Sequence, residues 1–207
     1  MTDQMKEQLW TPRSVEDTQK IYAEWAETYE ADVQGMAYAT PARIAEAIRP
    51  HVTPQDPILD FGCGTGLSGL ALAQQGYEII DGTDISEPML EHAYDKQHEG
   101  RDVYRNVWLG SPGRVDAVPG DYACIVATGV ISLGAAPPDM LRVLLDNLGP
   151  EGILAFSYND PTLEDAAYMD ALAEVLEDGT ARQLSRQHGP HLSEKVTGSD
   201  VIVLRRR

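Results

Sequence analysis

Residues 58–86 read ILDFGCGTGLSGLALAQQGYEIIDGTDIS. The opening ILDF (Ile58 to Phe61) has the apolar character of a buried strand, and Leu67 to Gln75, rich in Leu and Ala, predicts a helix closed by Gly76. Between them Gly62, Gly64 and Gly66 occupy a strand-to-helix turn, where a missing Cβ lets the backbone approach a ligand closely. YEIIDGT (Tyr77 to Thr83) predicts a second strand, and Asp84 ends it about twenty residues beyond the loop, the separation expected of an acid that holds two ribose hydroxyls. Loop and acid together describe a nucleoside pocket.

Outward from this unit, strand and helix alternate. Ser86 begins a predicted helix through about Gln97, Val103 to Trp108 predicts a third strand, and Tyr122 to Thr128 a fourth, apolar enough to be buried on both faces. Met140 to Leu148 reads as helix, Ile153 to Tyr158 as a fifth strand, and Thr162 to Glu177 as helix. Within Thr180 to Arg207, Val201 to Leu204 reads as strand, which suits a final hairpin. On the N-terminal side, Ser14 and Asp17 have capping-box spacing before a helix reaching Asp32, with Ile21, Tyr22, Trp25 and Tyr29 at helical intervals. Thr40-Pro41 reads as a cap and first-turn proline of a second helix that stops at Arg49-Pro50. The expected fold is α/β: a Rossmann-like, mostly parallel seven-stranded sheet with helices on both faces and an antiparallel edge hairpin. The 207 residues suit a single domain, with residues 1–50 as an N-terminal helical cap and 57–207 as the α/β core.

The composition, 43% hydrophobic and 24% charged, is that of a folded globular chain. Residues 1–10, MTDQMKEQLW, lack the basic-then-apolar pattern of a leader, and no run has the length of a membrane span, so a cytoplasmic location and no membrane partner are expected. Cys63 and Cys124 lie in apolar contexts as free thiols. The formal net charge of −17 opposes a phosphate backbone and disfavours DNA and RNA as acceptors. Arg205, Arg206 and Arg207 form the compact basic cluster, which a frayed, solvated tail explains.

A dinucleotide fingerprint would place glycine three residues after Gly64, where this chain has Leu67, and Asp60 at the loop mouth would repel a pyrophosphate. A nicotinamide-dependent oxidoreductase is therefore the weaker reading. A carboxylate there suits a ligand with a cationic amino group, as S-adenosylmethionine has. ILDFGCGTG with DGTDIS resembles the first two motifs of class I S-adenosylmethionine-dependent methyltransferases, and the strand order is similar to theirs. The resemblance implies that Gly62, Cys63, Gly64, Thr65 and Gly66 line the methionine part with Asp60 near its amino group. It also implies that Asp84 binds the ribose, and that Ile85 and Met89 pack near the adenosine. After the third strand such enzymes usually present an acid to the adenine; here Gly110-Ser111 stand instead, and Ser111 offers a hydroxyl. Thr128, Gly129 and Val130 match a backbone contact with the cofactor.

IYAEWAETYEADV (Ile21 to Val33) with the helix GLSGLALA is similar to the Williams–Beuren-region methyltransferase-like proteins. In related small-molecule methyltransferases this helix covers the cofactor, which favours Tyr29 as a contact, although Tyr22, Trp25 and Tyr29 equally fit a buried stripe. The expected activity is methyl transfer from S-adenosylmethionine to a small-molecule acceptor, leaving S-adenosylhomocysteine. A regulatory module that binds the cofactor without turnover is the alternative, because no catalytic set or metal cluster has persuasive spacing. His188 and His191 read as parts of a turn between strands, and His51, His92 and His98 as solvated. Tyr158 and Asn159 leave the fifth strand on the ligand side, although Asn159-Asp160-Pro161 also reads as a plain turn.

Overall fold

The computed structural model describes residues 13–194 and 196–207; the leader judgement on residues 1–10 lies outside them. Strand β1 (Ile58–Phe61) sits at the centre of a seven-stranded sheet. It pairs in parallel with β2 (Ile80–Asp84) on one side, which pairs with β5 (Asn106–Leu109). On the other side come β6 (Cys124–Ala127) and β7 (Ile153–Asn159), also parallel. Strand β9 (Gly198–Arg206) then runs antiparallel to both β7 and β8 (Ala181–Pro190), giving the order β5-β2-β1-β6-β7-β9-β8. Parallel neighbours need crossover helices, which cover the sheet on both faces.

Alternate residues of each strand feed two cores, because successive side chains point to opposite faces. Ile58, Cys124, Ile153 and Val203 meet α2 (Thr40–Ala47), α3 (Leu67–Gln74) and α4 (Glu87–Tyr94). Leu59, Ile125, Phe156 and Ile202 meet α5 (Met140–Asn147) and α7 (Ala166–Glu177). Helix α1 (Val15–Gly35) opens with the expected cap, Asp17 N–H donating to Ser14 Oγ at 3.1 Å. It lies beyond the strand ends, tied to the core where Gln19 Nε2 donates to Ile85 O at 2.9 Å and where Lys96 pairs with Glu30.

Several boundaries move for identifiable reasons. The second strand begins at Ile80 rather than Tyr77, since Glu78 N–H turns to Pro54 O and Tyr77 is committed to the core. The helix after Ser86 ends at Tyr94, and a short hairpin, β3 (Gln97–His98) with β4 (Arg101–Asp102), follows through Glu99 and Gly100, both at positive φ. The third long strand starts at Asn106, because Val103 and Tyr104 drop into the core beneath α3. The late helix is two: α6 (Asp160–Leu163), capped by Asn159, and α7, capped afresh by Asp165. Thr40 is no cap; Ala39 is, and the Thr40 hydroxyl turns inward. The terminal arginines are not a frayed tail: β9 runs to Arg206, Arg205 pairs with Glu151 at 3.4 Å, and Arg206 Nη1 donates to Leu148 O.

Tyr104 pins the fold beneath the glycine loop. Its hydroxyl donates to Asp60 Oδ2 at 2.7 Å, beside a 2.5 Å bond from Ser68 Oγ to the same atom. The ring fits because a Cβ on Gly69 would lie 2.3 Å from its Oη and one on Gly82 2.9 Å from its Cε1. Gly69→Ala is expected to destabilise the protein by about 1–3 kcal/mol through overpacking. Tyr104→Phe, which keeps the ring, is expected to cost about 1–3 kcal/mol through the lost bond to a carboxylate. Urea unfolding of both variants checks this, and an unchanged midpoint in Gly69→Ala would contradict the close approach.

Candidate functional site

A cavity of about 240 Å³ opens at the carboxyl ends of the parallel strands, the place where open α/β sheets receive ligands. The loop after β1 forms its floor. Gly62, Gly64 and Gly66 all have positive φ, at 70°, 54° and 93°, and a Cβ on Gly62 would lie 2.4 Å from Val130 Cγ2. Asp84, at the end of β2, locks the loop: its Oδ2 accepts from Gly64 N–H and its Oδ1 from Ser86 N–H, each at 2.9 Å. Burial raises the Asp84 pKa above its ordinary value, against the pull of those amides. Each carboxylate oxygen keeps a lone pair for a further donor, as a ribose diol would supply.

Of the positions expected from the sequence, Tyr29, Gly62, Gly64, Asp84, Ile85, Met89, Ser111 and Thr128 line this cavity. Cys63 and Thr65 line a smaller recess of about 40 Å³ that shares Tyr29, Gly62, Gly64 and Thr128 with it. Gly66 and Asp60 border neither. The Asp60 carboxylate lies fully buried under the loop, with Oδ2 held by Ser68 and Tyr104 and Oδ1 without a partner among the described residues. It acts on the cavity through the loop rather than at its mouth, because its strand position points to the α3 side of the sheet. Burial pushes its pKa up to about 6, the two hydroxyl bonds and nearby Asp84 being smaller influences.

An acid does reach the loop after β5, as Asp116, but it accepts from Ser111 N–H at 2.6 Å and pairs with Arg114. Tyr158, expected on the ligand side, instead packs edge-on against Phe156 and Tyr168 in the second core. Asn159 does line the cavity while capping α6. His188 lies within β8, bonded to Asp200, whereas His191 is buried and lines the cavity. Sequence reasoning missed Tyr38, His191, Thr83 and Met140; Tyr38 stands edge-on to His191 with ring centroids 5.2 Å apart.

The roof is α1, whose Tyr22, Trp25 and Tyr29 form one aromatic run, Trp25 lying edge-on to Tyr29 with centroids 4.6 Å apart. Among the described residues lining the cavity, Asp84 and Glu194 are acidic and none is Lys or Arg. Such walls repel a pyrophosphate and favour a cationic ligand, to which aromatic faces also contribute. Thr83 and Thr128 line the cavity, but their Oγ1 atoms are buried and without hydrogen-bond partners among the described residues. The acid at the end of β2, the glycine turn and the walls without Lys or Arg among the described residues all fit an adenosyl sulfonium.

A Rossmann-like sheet of this order, with such a site at its switch point, defines a class I S-adenosylmethionine-dependent methyltransferase domain. The chain belongs to the methyltransferase-domain family, whose profile matches residues 29–195. It is 30% identical to human methyltransferase-like protein 27 over 123 residues, 56% of this chain and 48% of that one. It is 39% identical to the bovine 18S rRNA (guanine-N(7))-methyltransferase over 74 residues, 35% of this chain and 25% of the relative. The matches thus span half or less of those relatives. A magnesium protoporphyrin IX methyltransferase from Synechocystis with bound S-adenosylhomocysteine shares the fold, with a TM-score of 0.65 and 17% identity over 86% of this chain and 87% of that one. The likeness to an rRNA enzyme removes the ground for setting nucleic acid aside on net charge alone. Among the described residues no helix is long and apolar enough to cross a membrane.

Asp60 carries a pH signature. Its raised folded-state pKa contributes stability that is fully present below the ordinary carboxylate range and lost as pH rises through about 6. The stability difference between wild type and Asp60→Asn is therefore expected to change between about pH 4 and pH 6 and to be flat above, as chemical denaturation at several pH values would show. A difference independent of pH over that window contradicts the assignment.

Proposed function

We propose that this chain transfers the methyl group of S-adenosylmethionine to a small, largely apolar acceptor seated beneath α1. The observation that carries the reading is the cavity wall, in which Tyr22, Trp25, Tyr29, Tyr38, Met36 and Met140 supply aromatic and apolar surface and no Lys or Arg appears among the described lining residues. A phosphate backbone finds no counter-charge there. The cofactor supplies an activated methyl carbon whose departure leaves a neutral thioether. Asp84 holds the ribose hydroxyls, Ile85 and Met89 flank the adenosine, and the Gly62–Gly66 turn gives the methionine part close backbone approach. Helix α1 excludes water from the transfer path, and alignment of acceptor with methyl is the main contribution asked of the protein. In this reading residues 15–47 serve as the cap of a single domain whose core begins near residue 57.

Calorimetric titration is expected to give saturable binding of S-adenosylhomocysteine, with Asp84→Ala weakening it by about tenfold or more, since two hydrogen bonds to a carboxylate are lost. Incubation with labelled S-adenosylmethionine, a metabolite extract and total RNA is expected to place label in the small-molecule fraction, and none with Asp84→Ala. Label in RNA would overturn the acceptor class. Binding without transfer to either pool would support the turnover-free alternative.

A further inference from the structure

The cavity extends beyond what an adenosyl cofactor occupies in the reading above. Asp84 ends β2 and Asn159 ends β7, with β1 and β6 between them, so the two lie roughly 14 Å apart by strand spacing alone. The β7 end therefore lies beyond ribose contacts and faces the space left for the acceptor. Two neutral polar side chains from this region line the cavity, Asn159 and His191, beside Leu192 and Glu194, and hydrogen bonds indicate which atoms the two present.

Asn159 is fixed by its own helix cap. The atom that accepts from Thr162 N–H at 3.1 Å must be the carbonyl oxygen, and Thr162 Oγ1 donates to that same oxygen at 2.7 Å. The amide nitrogen, with two hydrogens, has no partner among the described residues. Asn159 is thus a donor that cannot flip without losing its cap.

His191 is fixed by a hydroxyl chain. Arg43 Nη1, which can only donate, directs one hydrogen to Pro190 O at 2.9 Å and shares the other between Ser199 Oγ at 2.9 Å and Ser199 O at 3.1 Å. The other partner of Ser199 Oγ is Thr40 Oγ1 at 3.2 Å; were the serine oxygen to accept there too, its own hydrogen would find no partner among the described residues, so the arrangement that uses every hydrogen sends it to Thr40. Thr40 then directs its single hydrogen to His191 Nδ1 at 2.7 Å, and the ring nitrogen accepts. A neutral imidazole that accepts at Nδ1 carries its hydrogen on Nε2. Burial lowers the His191 pKa to about 4, which keeps the ring neutral near pH 7. The backbones that carry the two donors flank Ser199 of β9: Asn159 pairs with it from β7, and Gly189, two residues before His191, pairs with it from β8.

Resting on the methyltransferase reading, we infer that Asn159 Nδ2 and His191 Nε2 form a two-donor cradle that selects an acceptor molecule bearing an uncharged carbonyl oxygen. A carbonyl oxygen has two acceptor sites and no hydrogen, which suits donors that offer hydrogens only. A carboxylate would be desolvated against neutral donors, with Glu194 and Asp84 on the same walls and no cation lining them among the described residues. A purely apolar ligand would leave both N–H groups unpaired. His191 is then a recognition group rather than a general base, because its outward nitrogen already carries the proton.

The test has two parts on the full chain. Long-range ¹H–¹⁵N NMR of the imidazole is expected to show the Nε2–H tautomer of His191 at neutral pH in the protein alone, and a mixture of tautomers in Thr40→Val. A dominant Nδ1–H form in the wild type overturns the inference. Then, with S-adenosylhomocysteine saturating, acetophenone, benzoate and ethylbenzene are titrated as probes. Acetophenone is expected to bind at least about fivefold more tightly than the other two, and the margin should fall below about twofold in Asn159→Asp, which keeps the capping oxygen and loses the donor. Equal affinity for ethylbenzene, or tighter benzoate, overturns it. Failure to bind S-adenosylhomocysteine would instead strike the methyltransferase reading, while the tautomer measurement still decides the state of His191.

Discussion

The structure depends on a buried carboxylate that the protein holds neither fully paired nor in water. Asp60 lies at the centre of the sheet's ligand end, takes hydrogen bonds from Ser68 and Tyr104 on one oxygen, and leaves the other bare. Those bonds join three elements: β1, α3 and the segment after β4. Their convergence sets the height of the glycine loop, and Asp84 then ties the loop from above through the Gly64 amide. The floor of the cavity is therefore a backbone turn clamped between two acids. Its shape survives without any basic side chain, which leaves the cavity free to favour positive charge.

Much of this was legible in residues 58–86. The apolar tetrad gave β1 to the residue, and the glycines with Asp84 gave the floor and its acid, because these features are local and follow chain geometry. What was not legible is what depends on distant partners. Asp60 reads as a loop-mouth acid until Tyr104 is seen beneath it, forty-four positions away. Thr40 reads as a helix cap until His191 arrives from beyond β8. The same chemistry, a short hydroxyl or carboxylate beside a backbone turn, serves cap and site alike, and one-dimensional spacing does not separate the two uses. Glycines 69 and 82 carried a usable signal, since a glycine inside a helix and another inside a buried strand both indicate a large neighbour pressing on the backbone.

The two halves of the cavity differ in character. The end under β2 and β5 is built from main chain and one acid, a surface suited to a ligand of fixed shape. The end under β7 and β9 is built from side chains whose orientation is set by hydroxyl chains and a helix cap, and its roof is a helix held at a few points. Methyl transfer asks for this division. The donor is the same molecule in every turnover, whereas recognition of the acceptor needs positions that can be altered without disturbing the loop.

The placement of β9 has a consequence for synthesis. The strands β1, β2 and β5, which carry the glycine loop and Asp84, are complete once Leu109 has left the ribosome, β2 pairing with each of the other two. Strand β8 emerges before β9 yet pairs with β9 alone, and β7 keeps an open edge until Gly198–Arg206 appears between them. For the interval between Pro190 and Arg206 the nascent chain thus holds two unpaired strand edges, one of them on the fully buried β7, which is a template for mispairing. The β7–β9 end of the cavity forms last, and it forms by insertion of a strand into a waiting gap rather than by extension of an existing edge.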